Sequence, residues 1–322
     1  MSKTAKSLPV YIILGFLILA NVACGANPST QQTSQLQGTL SVSGAFALYP
    51  MMTRWAEEYQ KINPSVKFDI SAGGAGKGMA DALGGAVDIG MVSRDITPEE
   101  EAKGAYWIAV TKDAVFPVIN AHNPVVADLI SKGVTRETFI GIYITGEIKT
   151  WGQVVGRPEV TDEIHVYTRS DACGAADTWA KYLGKKQEDL TGIGVFGDPG
   201  LLDAVIKDPL GIGYNNLGYA FDSKTGKPVE GGIVLPIDVN ENNSADPEEF
   251  LETKVEAVAM VASGKFPSPP ARLENLVTNG KPKTLAVDFI KWILTDGQKF
   301  VDEAGYIQLP AEQLTAGLEK LQ

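Results

Sequence analysis

Apolar residues in this chain fall into runs of distinct period, and each period predicts a different element. The first is an unbroken stretch from Leu8 to Ala20, preceded by Lys3 and Lys6 and followed by Ala23, Cys24 and Gly25. It is shorter than the roughly 20 residues that span a bilayer, and its basic, apolar and small-residue order is that of an export signal over residues 1–23. Residues 24–38 carry Ser, Thr, Gln and Pro without apolar periodicity, which predicts a flexible tether. From Thr39 onward, short apolar runs of strand length alternate with helical spacing. Thr39–Ser43 reads as a strand, and Met51, Trp55, Tyr59 and Ile62 mark one face of a helix from Pro50 to Ile62. Lys67–Ile70 reads as a strand before a helix from Met79 to Leu83. His165–Thr168 reads as a strand before a helix from Ala175 to Leu183.

Between strand and helix in each of these three units lies a loop of small residues: Gly44–Ala47, Gly73–Gly78 and Arg169–Gly174. A helix N-terminus presents unpaired N–H groups and the positive end of its dipole, so three such loops converging would suit an oxyanion. The glycine loop is neither a Walker loop, since Gly78 stands where Ser or Thr is needed, nor a dinucleotide fingerprint. Alternating strands and helices predict an α/β fold, and 322 residues suit two lobes better than one core.

Charge and composition narrow the function. With 28 Lys and Arg against 39 Asp and Glu, the net charge of −11 excludes broad electrostatic binding to nucleic acid. Two histidines and two cysteines give little material for a zinc site, a redox pair or a disulfide framework. An enzyme using Cys173 as nucleophile has no base in the same loop, and the chain is read as non-enzymatic. At a helix start and near Arg169, Cys173 is expected to have a lowered thiol pKa or to serve as a neutral, serine-sized filler.

The segment around Val22-Ala23-Cys24 resembles a bacterial lipoprotein signal, which implies lipidation of Cys24 and a membrane-anchored protein outside the cytoplasm, in the periplasm or at the cell surface. The segments Ser43-Gly-Ala-Phe-Ala-Leu-Tyr-Pro50, Gly73–Gly78, Val87-Asp-Ile-Gly-Met-Val-Ser-Arg94, Arg169–Ala175, Ile212-Gly-Tyr214 and Leu276–Pro282 together resemble the phosphate-binding proteins of bacterial phosphate ABC transporters, which are type II periplasmic binding proteins. The resemblance implies two α/β lobes around a cleft, with residues 39–114 plus 275–322 in lobe 1 and 115–274 in lobe 2. It places ligand contacts at Ala45, Phe46, Ala47, Ala75, Gly76, Ser93, Arg94, Arg169, Cys173, Gly174 and Ala175. Where the family supplies Ser and Thr hydroxyls, this chain carries Ala45, Phe46, Ala75, Cys173 and Ala175. The implied role is that of a monomeric solute-binding protein that delivers phosphate or a related oxyanion to an ABC permease. A sensor or scavenger of the same ion is the alternative.

One motif lies outside that resemblance. Asp238, Asn240, Asn242, Ser244 and Glu249 match positions of a calcium loop, with Phe250–Ala262 as the following helix and Gly232–Ile237 as the preceding strand. The spacing fits either structural calcium or an acidic, Asn-rich turn; no other cofactor is expected.

Overall fold

The computed structural model describes residues 36–322. The export signal and Cys24 lie outside the described residues, and β1 begins at Gly38, the last residue of the expected tether.

Among the described residues, nine strands build the frame: β1 (Gly38–Gly44), β2 (Val66–Ala72), β3 (Ile89–Val92), β4 (Ala105–Asn120), β5 (His165–Arg169), β6 (Ile193–Val195), β7 (Gly211–Asn216), β8 (Gly232–Val234) and β9 (Ala271–Asn279). Their order is β2-β1-β3-β9-β4-β7-β5-β6, with β8 paired to β4. β1 runs parallel to β2 and β3, and β5 runs parallel to β6 and β7. β4 and β9 are long and antiparallel, paired from Ala105↔Asn279 to Ala114↔Ala271 with a register shift between Ala109 and Thr111. Beyond Val115, β4 pairs with β7 and then β8.

The long β4 therefore serves two hydrophobic cores, so the fold is the expected pair of α/β lobes. One core gathers Leu40, Trp55, Tyr59, Met91, Val110, Phe289 and their neighbours. The other gathers Phe116, Trp151, Trp179, Tyr214, Phe221 and Phe266. Along β4 the change of core falls between Val110 and Ala114, and Thr111 and Asp113 between them are buried and polar.

Helix α1 (Tyr49–Ile62) buries Met51, Met52, Trp55, Ala56 and Tyr59, as its apolar period predicts, and Pro50 sits in its first turn. Helix α2 spans Ala75–Leu83, so the expected start at Met79 is four residues late. Gly76 and Gly78 are helical residues rather than loop. Gly78 is required by close packing: a Cβ there would come within 2.4 Å of the Met91 carbonyl oxygen and 2.8 Å of Gly44 Cα. Three further segments differ from expectation. The third unit's helix is Gly174–Tyr182, β8 stops at Val234, and the helix expected from Phe250 begins at Lys254. Thr253 caps that last helix in a reciprocal box with Glu256, which fixes its start.

Candidate anion site

Arg169 ends β5, and its guanidinium is fully enclosed. Its Nε and Nη2 donate to the Asp171 carboxylate at 2.8 and 2.6 Å, and its Nη1 donates to Asp198 Oδ2 at 2.5 Å. Burial works against the charge, but Asp198 first, then Cys173 and Asp171, outweigh it and hold the arginine pKa above its ordinary value. Neither carboxylate depends on Arg169 alone. Asp198 Oδ1 accepts from the Asn216 backbone N–H and Nδ2, and Asp171 Oδ1 accepts from the Gly197 N–H. The backbone of Arg169 is anchored as well, through its N–H to Tyr214 Oη.

Phe46 reaches this arginine from the other lobe. Its ring centroid lies 5.3 Å from Arg169 Cζ, and it meets Phe196 edge to face at 5.9 Å. Gly197, with φ of +74°, leaves room for it, since a Cβ there would come within 3.1 Å of Phe46 Cζ. Tyr219 Oη donates to the Phe46 carbonyl. The neighbours of Phe46 are held within the fold: the Ala45 N–H donates to the Met91 carbonyl, and the Ala47 carbonyl accepts from Tyr306 Oη.

The start of α2 closes on the same place. The Gly76 N–H donates to the Ala172 carbonyl at 3.0 Å. A Cβ on Gly74 would stand 2.8 Å from Asp171 Oδ2, so the glycine backbone and the 169–174 loop are in direct contact. Ala75 is buried beneath them. Ser93 packs on the start of the Gly174–Tyr182 helix, where a Cβ on Gly174 would meet Ser93 Oγ. Ala175 is buried in that helix's first turn. Beside Arg169 opens a cleft of about 480 Å³, walled by Thr168, Ala172, Gln187 and Leu190.

One expectation is corrected here, and one pair of alternatives is decided. Arg94 does not reach into this group. Its guanidinium is engaged with the Glu100 carboxylate at 2.9 and 2.7 Å, and Glu100 is itself fixed in a capping box with Thr97. Cys173 is not an activated thiol. Its Sγ caps the Gly174–Tyr182 helix by accepting from the Ala176 N–H at 3.4 Å, and burial pushes the thiol up to about 12 despite the neighbouring Arg169. Desolvation of the thiolate outweighs the nearby positive charge.

Sequence reasoning placed Phe46, Ala75, Gly76, Ser93, Arg169, Cys173, Gly174 and Ala175 together, and they meet. It missed Phe196, Gly197 and Asp198 at the start of the Gly197–Lys207 helix, Asn216 at the end of β7 and Tyr219 just after it, which are distant in sequence and carry no local signal. Asp171, two residues from Arg169, was the one partner within reach of a sequence argument. Through Asn216 the group extends to the strands that join the lobes. Arg272 on β9 donates to Asn216 Oδ1 and lies 3.4 Å from both Asp113 on β4 and Glu274 on β9.

The expected calcium loop folds on its own backbone. Asp238 accepts from the Asn242 and Asn243 N–H groups, and Glu249 accepts from those of Val239 and Asp246. Asn240 Nδ2 donates to Asp246, and Ser244 donates its N–H to Asn242 Oδ1. Among the described residues, no group of three or more His, Cys, Asp or Glu side chains is placed to hold a metal ion.

A family model described as a PBP superfamily domain matches residues 29–297. The phosphate-binding protein PstS of Bacillus subtilis (strain 168) is 26% identical over 97% of this chain and 97% of its own length. PstS of Pseudomonas aeruginosa PAO1 is 26% identical over 92% of this chain and 91% of its own. A solved structure from Clostridium perfringens, a putative phosphate ABC transporter substrate-binding protein with bound phosphate, superposes with a TM-score of 0.68. It is 25% identical and covers 85% of this chain and 100% of that one.

Proposed function

Because this chain belongs to the PBP superfamily, we propose that it is a non-enzymatic solute-binding protein that captures inorganic phosphate, or an oxyanion of the same shape, and delivers it to an ABC permease. It acts outside the cytoplasmic membrane, as a monomer tethered through lipidated Cys24. The full-length similarity to phosphate-binding proteins supports the ligand class.

The observation that carries this reading is the meeting of two helix starts, at Gly74–Gly76 and at Asp171–Gly174, over the buried Arg169. In this closed arrangement the Ala172 carbonyl occupies the Gly76 N–H, so an oxyanion oxygen must take that acceptor's place. Entry therefore requires the two loops to part and Phe46 to leave the Arg169 face. Relative movement of the lobes about β4 and β9 accomplishes both.

Local charge refines the ligand. One guanidinium faces two carboxylates, so the group carries a net negative charge and attraction rests on backbone N–H groups and the two helix dipoles. A carboxylate beside the anion accepts a hydrogen bond from a protonated oxyanion and repels one without a proton. Phosphate and arsenate carry such a proton near neutral pH, and sulfate does not. Calorimetry on protein freed of ligand by partial unfolding and refolding tests the reading. Phosphate and arsenate should bind, with sulfate at least tenfold weaker. Failure of phosphate, arsenate and molybdate alike to bind at millimolar concentration would overturn it.

A further inference from the structure

A second cavity lies away from the Arg169 cleft. It has a volume of about 670 Å³ and draws its walls from both lobes. Arg94, Asp95, Lys112 and Gln313 contribute from one side, and Thr178, Lys181, Lys265 and Phe266 from the other. We propose that this cavity is a second ligand site, for a small organic anion that joins a phosphate or carboxylate group to an apolar body.

Charge is the first ground. The chain carries an excess of eleven negative charges, yet the cavity wall holds five cationic side chains, with Arg272 as the fifth, against the single carboxylate of Asp95. Four of these cations also have carboxylate partners outside the cavity: Arg94 has Glu100, Lys181 has Asp177 at 3.0 Å, Lys265 has Glu248 at 3.4 Å, and Arg272 lies 3.4 Å from Asp113 and Glu274. Lys112 has no carboxylate within ion-pair distance among the described residues. Lys181, held by Asp177, also reaches Asp95 at 3.1 Å, an exposed pair in which an incoming anion can take the place of Asp95.

Unmet hydrogen bonding is the second ground. Arg272 is 8% exposed; among the described residues its Nη1 has no hydrogen-bond acceptor, its Nε faces Glu274 Oε1 at 3.4 Å without a hydrogen bond, and the Oε1 of Gln313 has no donor. Both residues line the cavity. Buried polar atoms left in this state are costly, and a bound molecule with acceptor and donor atoms relieves them.

Size and wall chemistry decide the ligand class. The volume is in the range of organic-molecule pockets and far exceeds that of a single tetrahedral ion. Val261, Phe266, Pro267, Pro269, Ala271 and Leu273 supply an apolar surface, which a bare inorganic ion would leave without a partner. An occupant that touches both walls also favours the arrangement of the lobes seen here, by binding it in preference to an open one.

Phenyl phosphate is a suitable probe, with inorganic phosphate and phenol as its charged and apolar halves. Titrated into the full mature protein and followed by calorimetry, phenyl phosphate should bind in the presence of saturating inorganic phosphate, and phenol should not bind at the same concentration. The double variant Lys112→Gln/Lys265→Gln, which alters only partly or fully exposed side chains, should weaken phenyl phosphate at least tenfold and leave inorganic phosphate binding unchanged. Displacement of phenyl phosphate by inorganic phosphate, or equal affinity in the double variant, would place the probe in the Arg169 cleft and overturn the proposal. So would the absence of binding at 5 mM, a ceiling chosen at roughly the weak end of specific small-molecule affinity.

Discussion

Replacing Arg169 with Met separates its two roles, because the geometry makes this arginine a buried counter-ion as well as a wall of the anion cleft. The substitution keeps the length and apolar contact of the side chain, including its place under Phe46, and removes three charge-assisted hydrogen bonds. Asp198 and Asp171 are then left almost fully enclosed, at 1% and 7% side-chain exposure, without a cation. Removing one partner from a buried ion pair costs about 3–5 kcal/mol. The donors retained from Asn216 and Gly197 keep the loss toward the lower end, about 3–4 kcal/mol. For a chain of this size that corresponds to a fall in melting temperature of roughly 10 °C. Urea unfolding at pH 7, followed through the fluorescence of the buried tryptophans, measures it directly. Adding Asp198→Asn to the variant removes one stranded charge and should recover at least about 1 kcal/mol. A deficit below about 1 kcal/mol at pH 7, or no recovery with Asp198→Asn, would refute the counter-ion reasoning and make Arg169 a solvent- or ligand-facing cation.

Three further outcomes follow from the same structure. Burial, opposed chiefly by Arg272, pushes the Asp113 carboxyl up to about 6, so this group destabilises the fold progressively between its unfolded pKa and about pH 6; Asp113→Asn should flatten the loss of stability between pH 4 and pH 7, and an unchanged slope by denaturant titration at each pH would contradict it. Cys173 in the native protein should resist iodoacetamide at pH 8, with modification of its peptide measured by mass spectrometry appearing only on unfolding; rapid native labelling would contradict a buried, high-pKa thiol. Gly78→Ala should destabilise by about 1–3 kcal/mol, because its Cβ meets backbone of β1 and β3 rather than a movable side chain; a loss under about 0.5 kcal/mol in urea would show that α2 shifts freely.

Much of the frame was legible along the chain because it depends on local period. The apolar spacing of α1 located a 14-residue helix to within one residue, since Met51, Trp55 and Tyr59 must share a face whatever they pack against. The small-residue loops before α2 and before the Gly174–Tyr182 helix marked where helix starts would gather. Against the family that the chain resembles, Ala75, Cys173 and Ala175 stand where hydroxyls are usual.

What the sequence by itself determined, then, was the identity of the elements and the resemblance that orders them. Tertiary structure decided which charges meet. Arg94 and Arg169 look equivalent in sequence, each following a strand and preceding a helix. Folding gives Arg94 to Glu100, six residues away, and gives Arg169 to Asp198, twenty-nine residues away, across the edge of another helix. Likewise, a cysteine four residues from an arginine leaves an activated thiol and a neutral filler both open in the sequence, and how completely the surrounding chain excludes water decides between them. Periodicity is a property of neighbours in the chain and survives in the sequence. Desolvation and charge pairing depend on groups brought close from distant segments, and those distances exist only after the chain has folded.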